Sequence, residues 1–138
     1  MAEKQQRKKA REAVLQALYA KYLSSEDQNK VLRDINNRYN FDNLTKEFVN
    51  ELFQKTIDNN EMLDQKIENS LENWDLERIN VIDRLIMQMS ISEMLFMKQY
   101  EIPYRVTISS AIENAKKFSS EDSTAFVNGV LDSIYKTL

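Results

Sequence analysis

Residues 79–96 read INVIDRLIMQMSISEMLF, and apolar side chains recur through this stretch on almost every side of a helix. Ile79, Val81, Ile82, Leu85, Ile86, Met87, Met89, Ile91, Met94, Leu95 and Phe96 leave only a narrow polar arc. A helix that is apolar nearly all round is packed upon from all sides. The stretch is therefore expected to be the central helix of an all-α protein, and the rest of the chain must supply the amphipathic helices around it. No segment alternates convincingly as a strand. One Gly and one Pro in 138 residues leave almost no punctuation for the tight turns of an all-β or dinucleotide-binding fold.

Working outward toward the N-terminus, Leu63, Ile67, Leu71 and Trp74 form one apolar stripe, and Asn59-Asn60 marks a kink or short turn before it. A helix from near Asp42 places Leu44, Phe48, Leu52 and Phe53 inward, and Asn36, Asn37 and Asn40 mark the break ahead of it. Ser24, Ser25, Glu26 and Asp27 offer N-cap chemistry to a short helix carrying Val31, Leu32 and Ile35. The first helix spans about Lys4 to Leu23, with Val14, Leu15, Leu18 and Tyr22 on one stripe. On the other side of the central helix, Ile102-Pro103 ends a connection, because the residue before Pro avoids the helical region. A sixth helix carries Ile108, Ala111, Ile112, Ala115 and Phe118. Ser119, Ser120, Glu121 and Asp122 cap a seventh, with Phe126, Val127, Val130, Leu131 and Ile134 inward. The expected architecture is about seven helices in one domain, residues 1–138. Two small antiparallel subdomains, about 1–74 and about 75–138, divide it, with Trp74 packing at their junction.

The chain has no Cys and no His, which excludes disulfides, thiol catalysis, zinc sites built from those residues and any imidazole base. A single Gly, at position 129 inside a helical pattern, cannot build a phosphate loop. Its expected purpose there is to let a neighbouring helix approach closely. Carboxylate pairs such as Glu68 and Glu72 read as solvated helix faces. No enzyme, no cofactor and no metal is expected. Residues 1–12 are charged, and no run of about 18 apolar residues exists. A cytoplasmic protein without a membrane partner is the expectation.

Net charge is −3, but residues 1–12 carry +3 and the remaining body −6. A basic end on an acidic body points to a local docking site for an anion. On a helical wheel of about 100° per residue, Lys4, Arg7, Lys8 and Arg11 share an arc of roughly 100°, continuous with the stripe of Leu15, Leu18 and Tyr22. Cations cannot be buried unpaired, so the first two turns are expected to overhang the body or form a flexible arm. Beside them Gln16 and Tyr19 add an amide and a ring. Phosphate contacts, a hydrogen-bonding amide and a stacking ring are what single-stranded RNA binding uses. The residues alone leave open that Gln16 and Tyr19 merely border the core.

Arg7-Lys8-Lys9-Ala10-Arg11-Glu12, followed by Gln16-Ala17-Leu18-Tyr19, resembles the opening of the bacterial NusB family of transcription antitermination factors. Asn73-Trp74-Asp75-Leu76-Glu77-Arg78-Ile79 is similar to its mid-chain signature. Ile102-Pro103-Tyr104-Arg105-Val106, Ala111-Ile112-Glu113-Asn114-Ala115-Lys116-Lys117-Phe118 and Phe126-Val127-Asn128-Gly129-Val130-Leu131-Asp132 follow in the family's order and spacing. The resemblance covers essentially the whole chain. It implies an all-α fold of two three-helix subdomains and binding of single-stranded boxA-type RNA together with the ribosomal protein NusE. It further implies action on the transcription elongation complex with RNA polymerase in ribosomal RNA operons. By position it makes Arg7, Lys8, Lys9 and Arg11 phosphate contacts, sets Gln16 and Tyr19 in the RNA- and partner-facing turn, and places Asp122 and Phe126 beside the RNA. Family members often carry Arg where Gln88 stands, Tyr at Ser92 and Asn-Glu at Ser109-Ser110. If that Arg and Glu pair across the central helix, their joint replacement leaves no unpaired charge here, and the missing Tyr alters the partner surface. Two alternatives remain beside this reading: a helical adaptor that binds only protein, and the RNA-binding module of an RNA methyltransferase.

Overall fold

The structure, a computed structural model, describes residues 2–72 and 75–138, with side chains from residue 6 onward. The expectations for the Lys4 side chain and for Asn73 and Trp74 lie outside what is described. Seven α-helices are described: α1 (Ala2–Leu23), α2 (Gln28–Arg38), α3 (Asn43–Asp58), α4 (Asn60–Asn69), α5 (Val81–Phe96), α6 (Tyr104–Phe118) and α7 (Glu121–Tyr135). Short 3-10 turns at Leu76–Arg78 and Lys98–Tyr100 flank α5, and no strand occurs among the described residues.

The boundaries follow local chemistry. Asp27, Asp42, Asn80 and Ser120 each take the N-cap and accept a hydrogen bond from a backbone N–H two or three residues on. Such a bond satisfies one of the donors that a helix start leaves without a partner. Pro103 precedes α6, and Glu101 just before it takes the left-handed conformation at φ 53°. That corner turns the chain from the 3-10 turn into α6, at a conformational cost for a residue with a Cβ.

Helix α5 is the hub. Every residue from Leu85 to Glu93 is buried, and α5 packs against α1, α3, α4, α6 and α7. Ile86, Met87 and Ile91 meet Phe48, Leu52 and Phe53 of α3, Leu63 and Ile67 of α4 and Leu131 of α7 in one continuous core. Burying a side chain of this size stabilises by about 1.5–3 kcal/mol. Polar bonds fix α5 in register. Arg84 Nε and Nη2 donate to Asp64 at 3.1 and 2.6 Å, and Gln88 Nε2 donates to the same carboxylate at 2.6 Å. At its start, the buried Asp83 accepts from Ser123 Oγ of α7 at 2.7 Å, and Asn80 Nδ2 donates to Ser119 Oγ at 3.0 Å.

Five expectations need correction. Leu44 is 75% exposed and Tyr22 is 58% exposed. Leu44 lies in the first turn of α3 and Tyr22 in the last turn of α1, where each helix extends past its neighbours. Nothing lies within 4 Å of a Cβ built at Gly129, so no helix approaches it. Gln88 turns to Asp64 on α4, whereas Ser110 lines a cleft beside α1, so these two positions serve different neighbours. Ser92 is fully buried and forms no part of a surface.

Candidate nucleic-acid interface

The basic segment is a continuous part of α1, and from residue 6 on it lies against the body. Among the residues whose side chains are described the expected overhang is absent, because Arg7, Lys8 and Arg11 find partners. Arg11 is 5% exposed, and its Nε and Nη2 donate to the two carboxylate oxygens of Glu93 at 2.7 and 2.9 Å. Thr107 of α6 donates its hydroxyl to the same carboxylate. One buried cluster thus ties α1, α5 and α6 together. The two parallel N–H···O bonds fit the guanidinium fork to the carboxylate. Arg11, expected as a phosphate contact, is committed to the interior, and an outward role does not fit its burial.

Arg7, one turn earlier, is half-buried with its guanidinium 4.9 Å from the centre of the Phe48 ring and 5.2 Å from that of Tyr100. These rings meet edge to face, so the cation rests on an aromatic corner. Burial, and then the hydrogen bond to Glu51, pushes the Tyr100 hydroxyl up from its ordinary range, which keeps it neutral beside Arg7.

Along the outer edge of α1, Lys8 Nζ lies 3.1 Å from Glu113 of α6, and Glu12 accepts from Lys117 of α6 at 3.0 Å. The two pairs are one turn apart on both helices, so α1 and α6 run side by side in the same sense. The two pairs are reversed in charge, α1 giving the cation in the first and the carboxylate in the second. Lys9 is exposed. Further along the same edge, Gln16 is half-buried and Tyr19 is 38% exposed. The last turn of α6 meets α1 at Glu12, and the chain then turns directly into α7. Asp122 is exposed in the first turn of α7, and Phe126 is half-buried against the core. An acid at this end of a helix is favoured by the exposed N–H groups. The outward row is therefore Lys8, Lys9, Gln16 and Tyr19, with α7 entering alongside.

A cleft of about 810 Å³ adjoins this row. Arg7, Lys8 and Arg105 line it, as do Tyr100, Glu101 and Ser110. Sequence reasoning passed over Glu93, Thr107, Glu113 and Lys117, which hold the basic helix in place. Glu93 carried a signal, being a carboxylate inside the most apolar stretch of the chain. Among the described residues, no group of three or more acidic side chains is placed to hold a metal ion, and no helix is long and apolar enough to cross a membrane.

Comparison with known proteins bears on the family and the fold. The model of the NusB family matches residues 8–136. The transcription antitermination protein NusB of Bacillus thuringiensis (strain Al Hakam) is 41% identical over 132 residues, covering 96% of this chain and 98% of that protein. The protein of the same name from Bacillus anthracis (strain A0248) shows the same identity and coverage. Among solved structures, T. maritima NusB superposes with a TM-score of 0.84 at 37% identity, covering 94% of this chain and 90% of that one. A crystal structure of antitermination factors NusB and NusE in complex with dsRNA superposes with a TM-score of 0.85 at 26% identity, covering 97% and 98%.

Proposed function

The chain belongs to the NusB family of transcription antitermination proteins, and on that premise we propose that it grips boxA-type single-stranded RNA on the outer edge of α1, together with NusE. It acts by binding and carries out no chemistry. The observation that supports this most is the row of Lys8, Lys9, Gln16 and Tyr19, held rigid from beneath by the buried Arg11–Glu93 pair. Cations give sequence-independent phosphate contacts, and the exposed Tyr19 ring offers a face for an unpaired base. Arg7, Lys8 and Lys9 form the phosphate set of this proposal. Arg11 is a positioning residue within it. Asp122 and Phe126, the first exposed and the second half-buried on α7, are included in this proposal as RNA neighbours.

A structural neighbour with NusE and RNA in one complex supports a joint assembly. The exposed Tyr22 and Leu23 at the end of α1 provide apolar surface for the protein partner. The assembly acts in the cytoplasm on the elongation complex with RNA polymerase, favouring read-through in ribosomal RNA operons.

Fluorescence anisotropy of a labelled boxA-like RNA tests the proposal, with single-stranded and duplex forms compared, with and without NusE, at two salt concentrations. Selective binding of the single strand, tightened by NusE and weakened by salt, is expected. Lys8→Gln and Lys9→Gln should each weaken it, and Tyr19→Ala should remove the preference for unpaired RNA. Association with NusE but with no RNA under any condition would make the chain a protein-only adaptor.

A further inference from the structure

We infer that the cleft beside the first turns of α1 is a second phosphate-binding site, through which RNA held on α1 continues onto α6, with Arg105 and Ser110 as its contacts. The inference rests on the RNA reading above and adds a part of the path that the basic segment does not contain.

Two independent observations carry it. Ser110 is only 7% exposed and lines the cleft, yet its hydroxyl has no hydrogen-bond partner among the described residues. Other buried helical hydroxyls here donate to the carbonyl one turn back, as Thr56 does to Leu52 and Ser90 to Ile86, both at 2.7 Å. Unlike the fully enclosed Ser92 oxygen, Ser110 Oγ is open to the cleft, where its hydroxyl is free to meet a ligand. Arg105 is the second. It is exposed on the first turn of α6, lines the cleft, and has no carboxylate partner among the described residues. Its guanidinium suits a phosphate bidentately.

The other charges on the cleft fit the same occupant. Lys8 is paired with Glu113, but both side chains are more than half exposed, at 57% and 53%. Such a pair is weak, and exchanging its carboxylate for a phosphate costs little. Arg7 is held on its aromatic corner, so its charge is presented without further ordering. Glu101, on the strained left-handed corner, opposes an anion. Continuity decides for RNA over an acidic protein, because Arg7 and Lys8 belong both to the α1 segment and to the cleft.

The test repeats the anisotropy titration of single-stranded boxA-like RNA with Arg105→Gln, Arg105→Lys, Ser110→Ala and Glu101→Gln, with Arg33→Gln on α2 as a remote control. Circular dichroism melting confirms that each variant folds. Arg105→Gln should weaken binding about three- to tenfold and reduce the slope of log K against log salt by about 0.7, one phosphate on a single strand. Arg105→Lys should keep the slope. Ser110→Ala should weaken binding about threefold with the slope unchanged, as befits loss of a neutral donor. Glu101→Gln should tighten binding, and Arg33→Gln should change nothing. If Lys8→Gln weakens binding while Arg105→Gln and Ser110→Ala match the wild type in affinity and slope, the cleft is not on the RNA path and the α1 reading stands alone. If Arg105→Gln weakens association with NusE and leaves RNA binding intact, the cleft is a protein-docking site and the inference falls. Wild-type protein that binds no RNA would overturn the α1 reading and this one with it.

Discussion

Arg11 and Glu93 are 82 residues apart in sequence and 2.7 Å apart in the fold. Both are almost completely buried, so removing one partner strands a charge in the core. Arg11→Ala should therefore cost about 3–5 kcal/mol of stability, measured by urea denaturation. Arg11→Met with Glu93→Leu removes both charges and should recover most of the loss. That double variant separates the two roles argued for this side chain. If Arg11 only positions α1, the double variant binds RNA with the wild-type salt slope, whereas a lost phosphate contact lowers the slope by about 0.7. The wheel placed Arg11 within the core-facing stripe, and the burial was legible to that extent. Its partner was not, because helical periodicity reports a residue's own face and says nothing about which distant element covers it.

Among the elements, the tetrapeptide Ser-Ser-Glu-Asp opens two helices in two different registers. At Ser24–Asp27 the last residue is the cap and α2 begins after it, while at Ser119–Asp122 the second residue caps α7 and the acids enter the first turn. The earlier copy is partly spent on closing α1, since Ser24 Oγ donates to Ala20 O and Lys21 reaches Glu26 O. A cap motif is thus legible, but its register depends on what precedes it. Two predictions belong here. The hydrogen bonds from Thr45 hold the Asp42 carboxyl below its ordinary value. A depressed carboxyl stabilises the fold above the unfolded-state value and loses that contribution as pH falls through the folded-state value. Asp42→Ala should lower the melting temperature at pH 7, and the difference should fade as the pH falls below 4. Gly129→Ala should stabilise the fold by about 0.5–1 kcal/mol in thermal melts, because α7 has open space there and Gly is a poor helix former. Loss of stability instead would mean that a neighbour does crowd α7.

For the molecule as a whole, the all-α architecture was legible from one stretch, because a helix apolar on every side dictates neighbours on every side. The basic row on α1 was legible in composition but not in pose. Net charge locates a basic end, yet only Glu93 on α5, Glu113 on α6 and the rings beneath Arg7 decide that it lies down on the body. Stability and binding should consequently respond differently to salt. The core is apolar and its main ion pair is buried, so raising salt tenfold should move the melting temperature little. Three phosphate contacts on a single strand imply a slope near −2, or about a hundredfold loss of RNA affinity over the same range, and a fourth at Arg105 makes it steeper. Equal sensitivity of both quantities would show that surface charge, not the core, holds α1 in place.

The side-by-side arrangement of α1 and α6 also sets an order of events during translation. Glu12 leaves the ribosome 105 residues before its partner Lys117 is made. Arg11 waits through most of the same interval for Glu93 and Thr107. A nascent chain holding only α1 to α4 can lay α1 on α3, but its Arg11 guanidinium still lacks Glu93 and its outer edge still lacks α6. The outward face proposed for RNA therefore comes into being only once α6 has been made, and a chain cut short before α6 keeps the charge without the shape.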